Sequence, residues 1–316
     1  MDFALLRDAF WGLTFDGLAL GAIYALISLG YTLVYGVLRL INFAHSEVFM
    51  IGTFGALVAS GIMGVKVEDD PRTGTNMILT LLVCLIISML ASAITAVGIE
   101  FVAYRRLRKR GATKLATLIS AIGVSISLVE LFRIITDSLP REFPRIMDKS
   151  FLFTVAGADI RNDKVIVIIA AAIMMVALDA FISRTRLGKG IRAVSMDENT
   201  ATLMGVNINR VITVTFFAGG LMAGAAAFFY ILTYENTSFK VGFFLGISAF
   251  TAAVLGGIGN LRGALFGGFV LGLMETYTSA VFGTAWKAVI SFIILVLVLL
   301  IKPTGLFGES ITQARV

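Results

Sequence analysis

The chain has 316 residues, of which 58% are hydrophobic and only 15% charged, and its mean hydropathy is +0.93. Soluble domains contain about 45–50% apolar and about 25% charged residues, so this composition excludes a soluble globular protein. A single cysteine, Cys84, and a single histidine, His45, exclude an internal disulfide and metal sites built from several cysteines or histidines.

Nine apolar runs predict helices that cross a membrane, because a helix of about 20 apolar residues satisfies its own backbone hydrogen bonds in lipid. The start of the chain, MDFALLRDAFWG, lacks a basic segment and a small-residue cleavage site, so we expect the first run to remain as a span. Only GGIGNLRG separates the seventh run from the eighth, which leaves eight or nine helices. We predict an all-α polytopic membrane protein with residues 1–316 in one transmembrane domain. The runs are Leu18–Tyr35, Phe43–Met63, Met77–Ala103, Leu115–Thr136, Val165–Ile182, Val211–Leu232, Val241–Leu255, Ala264–Phe282 and Ala285–Ile301.

The net charge of +6 comes largely from two short loops, RRLRKRGATK at 105–114 and RTRLGKGIR at 184–192. Basic loops face the cytoplasm in most membrane proteins, so the segment 137–164 between them is expected to be extracytoplasmic. Counting spans from these loops places the N-terminus outside and the C-terminus inside. The basic residues therefore indicate topology, and we do not expect nucleic-acid binding.

In the stretch RLINFAHSEVFMIGTF, polar residues lie between two apolar runs. Asn42 is a candidate N-cap and Ser46 a second cap one turn later, so the polar groups could serve only to satisfy the free amides of a helix start. The alternative is that Asn42, His45 and Glu47 organise a helix break beside a transport pathway. In either case we expect Glu47 to face protein and not lipid.

The predicted outer segment SFLFTVAGADIRNDKVIV alternates apolar and other residues around Gly157, which indicates a small hairpin that is either a docking surface or a plain connector. In the preceding span, Glu130 and Arg133 are three residues apart and are expected to pair. Glu100 and Asp179 lie about one turn from the basic loops and should reach toward them.

The segment RAVSMDENTATLMGVNINRV, of which we assign 193–210 to the cytoplasmic surface, is too polar for lipid but has the pattern of a short helix. Ser195 and Glu198 have the spacing of a capping box, Asp197 adds an acid to the first turn, and Gly205 lies where a helix C-cap glycine belongs. These signals predict a helix over Met196–Met204. Such a short helix needs a partner surface, which Ala201, Leu203, Met204 and Gly205 would contact, or else lies on lipid headgroups.

Glycines recur every four residues in several spans, which is typical of helices that pack closely in lipid. The segment LGGIGNLRGALFGG lacks the Lys-Ser/Thr of a phosphate-binding loop, so it is not expected to bind ATP. It remains a candidate helix break beside the pathway, formed by Gly256, Gly257, Gly259 and Asn260. Glu275, near the middle of a span, is either a pathway residue or a hydrogen-bonded structural acid. No residue pair stands out for catalysis, and we predict no enzyme activity.

Four stretches resemble the LivH-type permeases of branched-chain amino acid ABC importers: GLALGAIYALISLGYTLVYGVLRLINFAHSEVFMIG, SRTRLGKGIRAVSMDENTATLMGVNINRVI, AVLGGIGNLRGALFGGFVLGLMET and IKPTGLFG. They occur in the family's order over nearly the whole chain. Ser46, where the family usually has glycine, is a small departure. Permeases of this type also serve urea, short amides and other small neutral amino acids, so the resemblance leaves the substrate open.

The resemblance implies a multi-pass subunit of a bacterial plasma membrane, paired with a second, LivM-like permease. It further implies two ATPase subunits, LivG- and LivF-like, which bind ATP and contact the short helix around Ala201 to Gly205, and an external substrate-binding protein. The chain itself would bind no cofactor. Two rival hypotheses are a secondary transporter or channel acting alone, with broken helices near Asn42 and Gly257, and a purely structural scaffold.

Overall fold

The computed structural model describes residues 9–155 and 157–308 and has a predominantly helical fold. Within these described residues, eight helical segments are long and apolar enough to cross a membrane, and Val241–Gly256 is a shorter apolar helix. The predicted all-α polytopic fold with eight or nine spans is therefore confirmed. The helices are α1 Phe10–Leu38, α2 His45–Ile62, α3 Gly74–Ile99, α4 Arg105–Lys109, α5 Lys114–Ile135, α6 Asn162–Arg184, α7 Arg186–Met196, α8 Glu198–Leu203, α9 Ile208–Tyr234, α10 Val241–Gly256, α11 Leu261–Phe282 and α12 Trp286–Ile301, with a π-helical turn Glu100–Tyr104 that joins α3 to α4.

Helices α1 and α9 form the centre of the domain, and most of their side chains are buried against other helices. Small residues allow this close packing, as the glycine spacing predicted. A Cβ at Gly268 would clash with the backbone of Ala25, and one at Gly272 would clash with the backbone of Gly21. Because lipid offers no hydrophobic drive between helices, such backbone approaches are what holds α1 against α11.

Helices α5 and α12 lie at the periphery, and only 6% of the residues in the most apolar stretch of each are buried within the chain. Most of their exposed side chains are apolar, so these surfaces must be covered by lipid or by another membrane protein.

The predicted basic loops lie together at one end of the domain. Arg108 Nη2 donates to Asn209 Oδ1 at 2.8 Å, which joins the loop after α3 to the start of α9. The structure thus agrees with the prediction that successive loops alternate between the two ends of the domain. The assignment of the basic end to the cytoplasm remains a prediction from charge.

The opposite end carries four short strands: β1 Arg141–Glu142, β2 Phe151–Val155, β3 Ala158–Arg161 and β4 Asn236–Thr237. Strands β2 and β3 form an antiparallel pair, which confirms the predicted hairpin, and β1 pairs with β4 next to the end of α9. Lys149 Nζ donates to the carbonyl of Thr233 at 2.9 Å and fastens the segment to α9.

Two connections interrupt the helices where sequence analysis placed breaks. Residues 39–44 separate α1 from α2, and residues 257–260 separate α10 from α11. In the second connection Gly257 and Gly259 have φ of 106° and 99°, a region that favours glycine, and Asn260 caps α11 by accepting from the amide of Gly263 at 3.0 Å.

The residues after α12 close over this second connection. The amides of Leu306 and Phe307 donate to the carbonyls of Leu255 and Gly256 at 2.8 and 3.0 Å, so IKPTGLFG supplies partners for the end of α10. The connection lies at the basic end of the domain, where Arg262 approaches Asp179 at 3.8 Å. This placement makes Gly256, Gly257, Gly259 and Asn260 a tight turn at a helix end; whether they also border a pathway remains a prediction.

Candidate functional site

The α1–α2 connection is held by Asn42, but not as the N-cap that we predicted. Ala44 occupies the N-cap position, and Asn42 Oδ1 accepts from the amide of Ala44 at 3.1 Å and from the hydroxyl of Tyr104 at 2.8 Å. Ser46 is not a second cap either, because its hydroxyl donates to the carbonyl of Phe43 at 2.8 Å. Asn42 instead forms a local turn before the helix and links it to the π-helical turn.

His45 begins α2 deep inside the protein, and its side chain is 1% exposed. The imidazole lies against Gly30, where a Cβ would overlap it, and against the ring of Tyr31 at 4.8 Å between centroids. Gly30 in turn contacts Gly219, which lies near the middle of α9. Helix α2 therefore starts close to the middle of the bundle, and the α1–α2 connection is a true helix break within the membrane domain.

Glu47 is completely buried by the chain, which confirms that it faces protein. Its Oε1 accepts from the hydroxyls of Ser46 at 3.1 Å and of Ser125 at 3.2 Å. Its Oε2 has no hydrogen-bond partner among the described residues and lies beside Gly242, at the start of α10. This carboxyl group thus keeps one open acceptor where α2, α5 and α10 meet.

Glu275 lies in a different environment, at the junction of α1, α10, α11 and α12. Its carboxylate accepts from Tyr24 at 2.6 Å, from Ser248 at 2.8 Å and from Ser291, and it is 1% exposed. Three hydroxyls on three other helices converge on it, which favours the interpretation of Glu275 as a hydrogen-bonded structural acid.

The segment 193–210, which we call the coupling segment because it is predicted to contact the ATPase subunits, contains the end of α7 and all of α8, and not one helix over Met196–Met204. The cause is Asp197, whose extended backbone (φ −153°, ψ 116°) ends α7 and begins α8. Asp197 caps α8 by accepting from the amide of Asn199 at 3.0 Å and from the hydroxyl of Thr200. The hydrogen bond from Thr200, followed by that from Asn199, lowers the pKa of the Asp197 carboxyl.

The capping-box prediction for Ser195 and Glu198 is therefore wrong. Ser195 belongs to the last turn of α7, and its hydroxyl donates to the carbonyl of Arg192 at 2.8 Å. Glu198 is the first residue of α8. The prediction for Gly205 is confirmed, because Gly205 has φ of 82° and its amide donates to the carbonyl of Thr202 at 2.9 Å.

The coupling segment presents large apolar side chains outward at the basic end of the domain. Leu203, Met204 and Met196 are 87%, 81% and 80% exposed, whereas Ala201 is buried on the inner face. Three such exposed apolar side chains in one short polar segment indicate a contact with a partner or with lipid.

The predictions for Glu130 and Glu100 are confirmed, whereas Asp179 approaches Arg262 of α11 and not a residue of the basic loops. Arg133 Nε lies 2.6 Å from Glu130 Oε2, and Glu100, which is fully buried, pairs with Arg105 at 2.8 Å and with Arg108 at 3.4 Å. The described residues hold no group of three or more His, Cys, Asp or Glu side chains that could bind a metal ion.

Several residues of these sites were not predicted. Tyr104 directly follows an apolar run, Ser125, Tyr24, Ser248 and Ser291 lie within such runs, and the partners of all five are distant in the sequence. Their polarity inside a span was the available signal, since polar groups in lipid need a partner.

Comparison with known proteins settles what kind of membrane domain this is. The family model described as "Branched-chain amino acid transport system / permease component" matches residues 13–299. The chain belongs to this permease family. It is 39% identical over 297 residues to the high-affinity branched-chain amino acid transport system permease protein BraD of Pseudomonas aeruginosa, which covers 93% of this permease and 94% of BraD. It is also 39% identical to LivH of Escherichia coli K12 over 299 residues, with the same coverage of both chains.

The fold of the permease is also found among solved structures. A metal-chelate type ABC transporter in an inward-facing conformation matches 93% of the permease and 88% of that chain, with a TM-score of 0.52 and 14% identity. At this identity the match concerns the fold alone.

Proposed function

We propose that the chain is the LivH-type permease subunit of an ABC importer and that it moves branched-chain amino acids across the bacterial plasma membrane. The support is the similarity to BraD and LivH, which extends over more than nine-tenths of both chains. Urea, short amides and other small neutral amino acids are the alternative substrates for a permease of this type.

ATP binds to separate subunits in this proposal, and the partner assembly contains a LivM-like permease, two LivG- and LivF-like ATPases and an external binding protein. The peripheral faces of α5 and α12 offer apolar surface for the second permease or for lipid. The basic end of the domain faces the cytoplasm, which places the N-terminus outside and the C-terminus inside.

The observation that supports coupling to an ATPase subunit is the exposed apolar surface at α8. Leu203 and Met204 project from a short, well-capped helix at the basic end, where an ATPase subunit would bind. Exposed apolar side chains of this size gain about 1.5–3 kcal/mol each when a partner buries them fully. Closure of the ATPases would then push or rotate α8 and, through Gly205 and α9, change the arrangement of the spans.

Transport would follow from a population shift between two arrangements of the permease. The ATP-bound, closed ATPases must bind one arrangement more tightly than the other, and this difference drives the change in access. We place the pathway beside the helix break at Asn42, His45 and Glu47, because the break lies within the bundle and Glu47 keeps an open oxygen there.

Substitution Gly205→Glu tests the coupling assignment in the reconstituted importer. It places a charged side chain beside α8 at a left-handed residue, and we expect loss of substrate-stimulated ATP hydrolysis with normal membrane insertion. Gly111→Glu is the matched control, because Gly111 has φ of 65° in the other basic loop and, like Gly205, open space where its Cβ would lie.

Normal uptake by Gly205→Glu would contradict the coupling assignment. Uptake by the purified chain alone, driven by an ion gradient without ATP or ATPase subunits, would contradict the importer proposal and support a secondary transporter. A deletion without any transport phenotype would point to a scaffold.

A further inference from the structure

Arg39 lies at the point where α1 ends, and no role was predicted for it. Its backbone has φ of 50° and ψ of 36°, and its amide donates to the carbonyl of Tyr35 at 2.7 Å, which terminates the helix. Left-handed backbone is unfavourable for a residue with a Cβ, so the position is held by its surroundings. The turn directs the guanidinium away from α1 and toward the coupling segment.

The guanidinium binds the end of α7. Arg39 Nη2 donates to the carbonyl of Ser195 at 3.0 Å and to that of Met196 at 3.1 Å. These are the last two residues of α7, whose carbonyls have no partner within the helix and carry the negative end of its dipole. A cation at a helix C-terminus is favourable there, and two hydrogen bonds fix its position.

The bonded carbonyls lie directly before Asp197, the residue that separates α7 from α8. Any movement of α8 relative to α7 must turn about this residue. Arg39 therefore binds the α7 side of this joint, so a movement of Leu203 and Met204 that displaces the joint also displaces the guanidinium of Arg39.

The other side of Arg39 leads to the helix break. Residues 39–44 are the whole connection between α1 and α2; Asn42 is fastened to Tyr104, and His45 is enclosed by Gly30 and Tyr31. Within residues 9–155 and 157–308, Arg39 makes the only side-chain hydrogen bonds between this connection and the coupling segment 193–210.

We infer that Arg39 is a positioning residue that transmits movement of the coupling segment to the α1–α2 break, where His45 and Glu47 lie. This inference rests on the proposed function, since it presumes that ATPase subunits bind α8. It adds a second route to the one through Gly205 and α9, and it gives the break a direct mechanical link to the cytoplasmic surface.

The test uses the complete importer in proteoliposomes and measures assembly, ATP hydrolysis and leucine uptake for Arg39→Met. We expect normal assembly and ATP hydrolysis within about twofold, but uptake per ATP about tenfold lower, because two charge-assisted bonds are lost while the ATPase contact remains. Arg39→Lys should recover part of the coupling, since an ammonium keeps the charge but not the planar geometry of the guanidinium.

Arg192→Met is the matched control. Arg192 lies on α7 and, like Arg39, donates to a backbone carbonyl. Its acceptor is the carbonyl of Ser183 at 3.1 Å, so this bond joins only α6 and α7. We expect its uptake per ATP to match that of the wild type.

Wild-type uptake per ATP in Arg39→Met would overturn the inference, and so would an equal loss in Arg192→Met. If Arg39→Met fails to assemble, Arg39→Lys compared with Arg192→Lys decides: lower uptake per ATP in the first variant alone supports the inference, and equal values overturn it. A wild-type complex that takes up no branched-chain amino acid would instead refute the proposed function.

Discussion

Glu275 and Glu47 are both buried within the membrane domain, and their surroundings differ. Glu275 accepts hydrogen bonds from three hydroxyls and joins four helices, whereas Glu47 accepts from two serines and, among the residues that the structure describes, has one oxygen without a partner beside a helix break. Burying a carboxyl group costs free energy in either place. Hydrogen bonds to both of its oxygens offset this cost, whereas an oxygen without a partner leaves part of it uncompensated. The comparison therefore gives Glu275 a structural role and leaves Glu47 as the candidate for a role in transport.

The largest effect is expected for Glu275→Ala. This change leaves the hydroxyls of Tyr24, Ser248 and Ser291 without their shared acceptor, and we expect a loss of about 3 kcal/mol or more in unfolding free energy. Denaturation in detergent, followed by tryptophan fluorescence, measures it. Glu275→Gln keeps an acceptor oxygen and most of the volume, so it should lose less. Equal stability of Glu275→Ala and the wild type would contradict the structural role.

The difference between the two glutamates could not be predicted from the sequence. Each is a single acid in or beside an apolar run, and the partners of Glu275 lie 16 to 251 residues away along the chain. Local patterns do predict the spans, the β2–β3 hairpin and the cap at Gly205, because apolar runs, alternation and glycine act over a few residues.

Within the coupling segment, the sequence pattern indicated the wrong residue as the N-cap of the short helix. Ser195 and Asp197 both favour an N-cap position, and the capping box made Ser195 the better choice by spacing. The structure uses Asp197 because α7 continues to Met196, and the carbonyls of its last turn are held by Arg39, 156 and 157 residues away. Such a long-range contact leaves no periodic signal in the sequence.

Close packing beside the α1–α2 break should stabilise the start of α2, and Gly30→Ala tests this. The new Cβ would overlap the His45 imidazole and lie 2.9 Å from the carbonyl oxygen of Gly219. We expect a loss of about 1–3 kcal/mol in unfolding free energy, as for other overpacked cores. Gly36→Ala on the same helix has open space around its Cβ and should be neutral or slightly stabilising. Equal stability of the two variants would show that the break is loosely packed.

Transport measurements should distinguish the roles of Glu47 and Glu275 more clearly than stability measurements do. Glu47→Gln keeps the size of the side chain and removes the open carboxylate acceptor, so we expect unfolding free energy to change by at most about 1 kcal/mol. Leucine uptake by the reconstituted importer should fall about tenfold, the effect of about 1.4 kcal/mol. Ser125→Ala, which removes one donor to Glu47, is the milder companion variant. Normal uptake by Glu47→Gln would reduce the NFAHSE motif to a structural helix start.

A third glutamate extends the comparison to the surface and gives the smallest effect. Glu235 follows α9 and pairs with Lys149 at 2.6 Å and with Arg145 at 3.2 Å. Partial burial would raise the pKa of its carboxyl, but the hydrogen bonds and charges of Lys149 and Arg145 outweigh burial and lower it. A lowered pKa in the folded state means that the pairing stabilises the protein above the ordinary pKa of glutamate, about 4.3, and is lost as the pH falls through the folded value.

We therefore expect stability to fall slightly more between about pH 5 and pH 3 in the wild type than in Glu235→Gln, by less than about 1 kcal/mol because water and salt screen a surface pair. Thermal unfolding in detergent at several pH values measures this difference, and Glu142→Gln on the opposing strand β1 controls for the change in net charge. A larger effect in 0.05 M than in 0.5 M salt would mark it as an ion pair in water, unlike Glu275, whose hydroxyl partners should respond little to salt. If Glu235→Gln and Glu142→Gln had the same profile, the cations of the outer segment would not stabilise the end of α9.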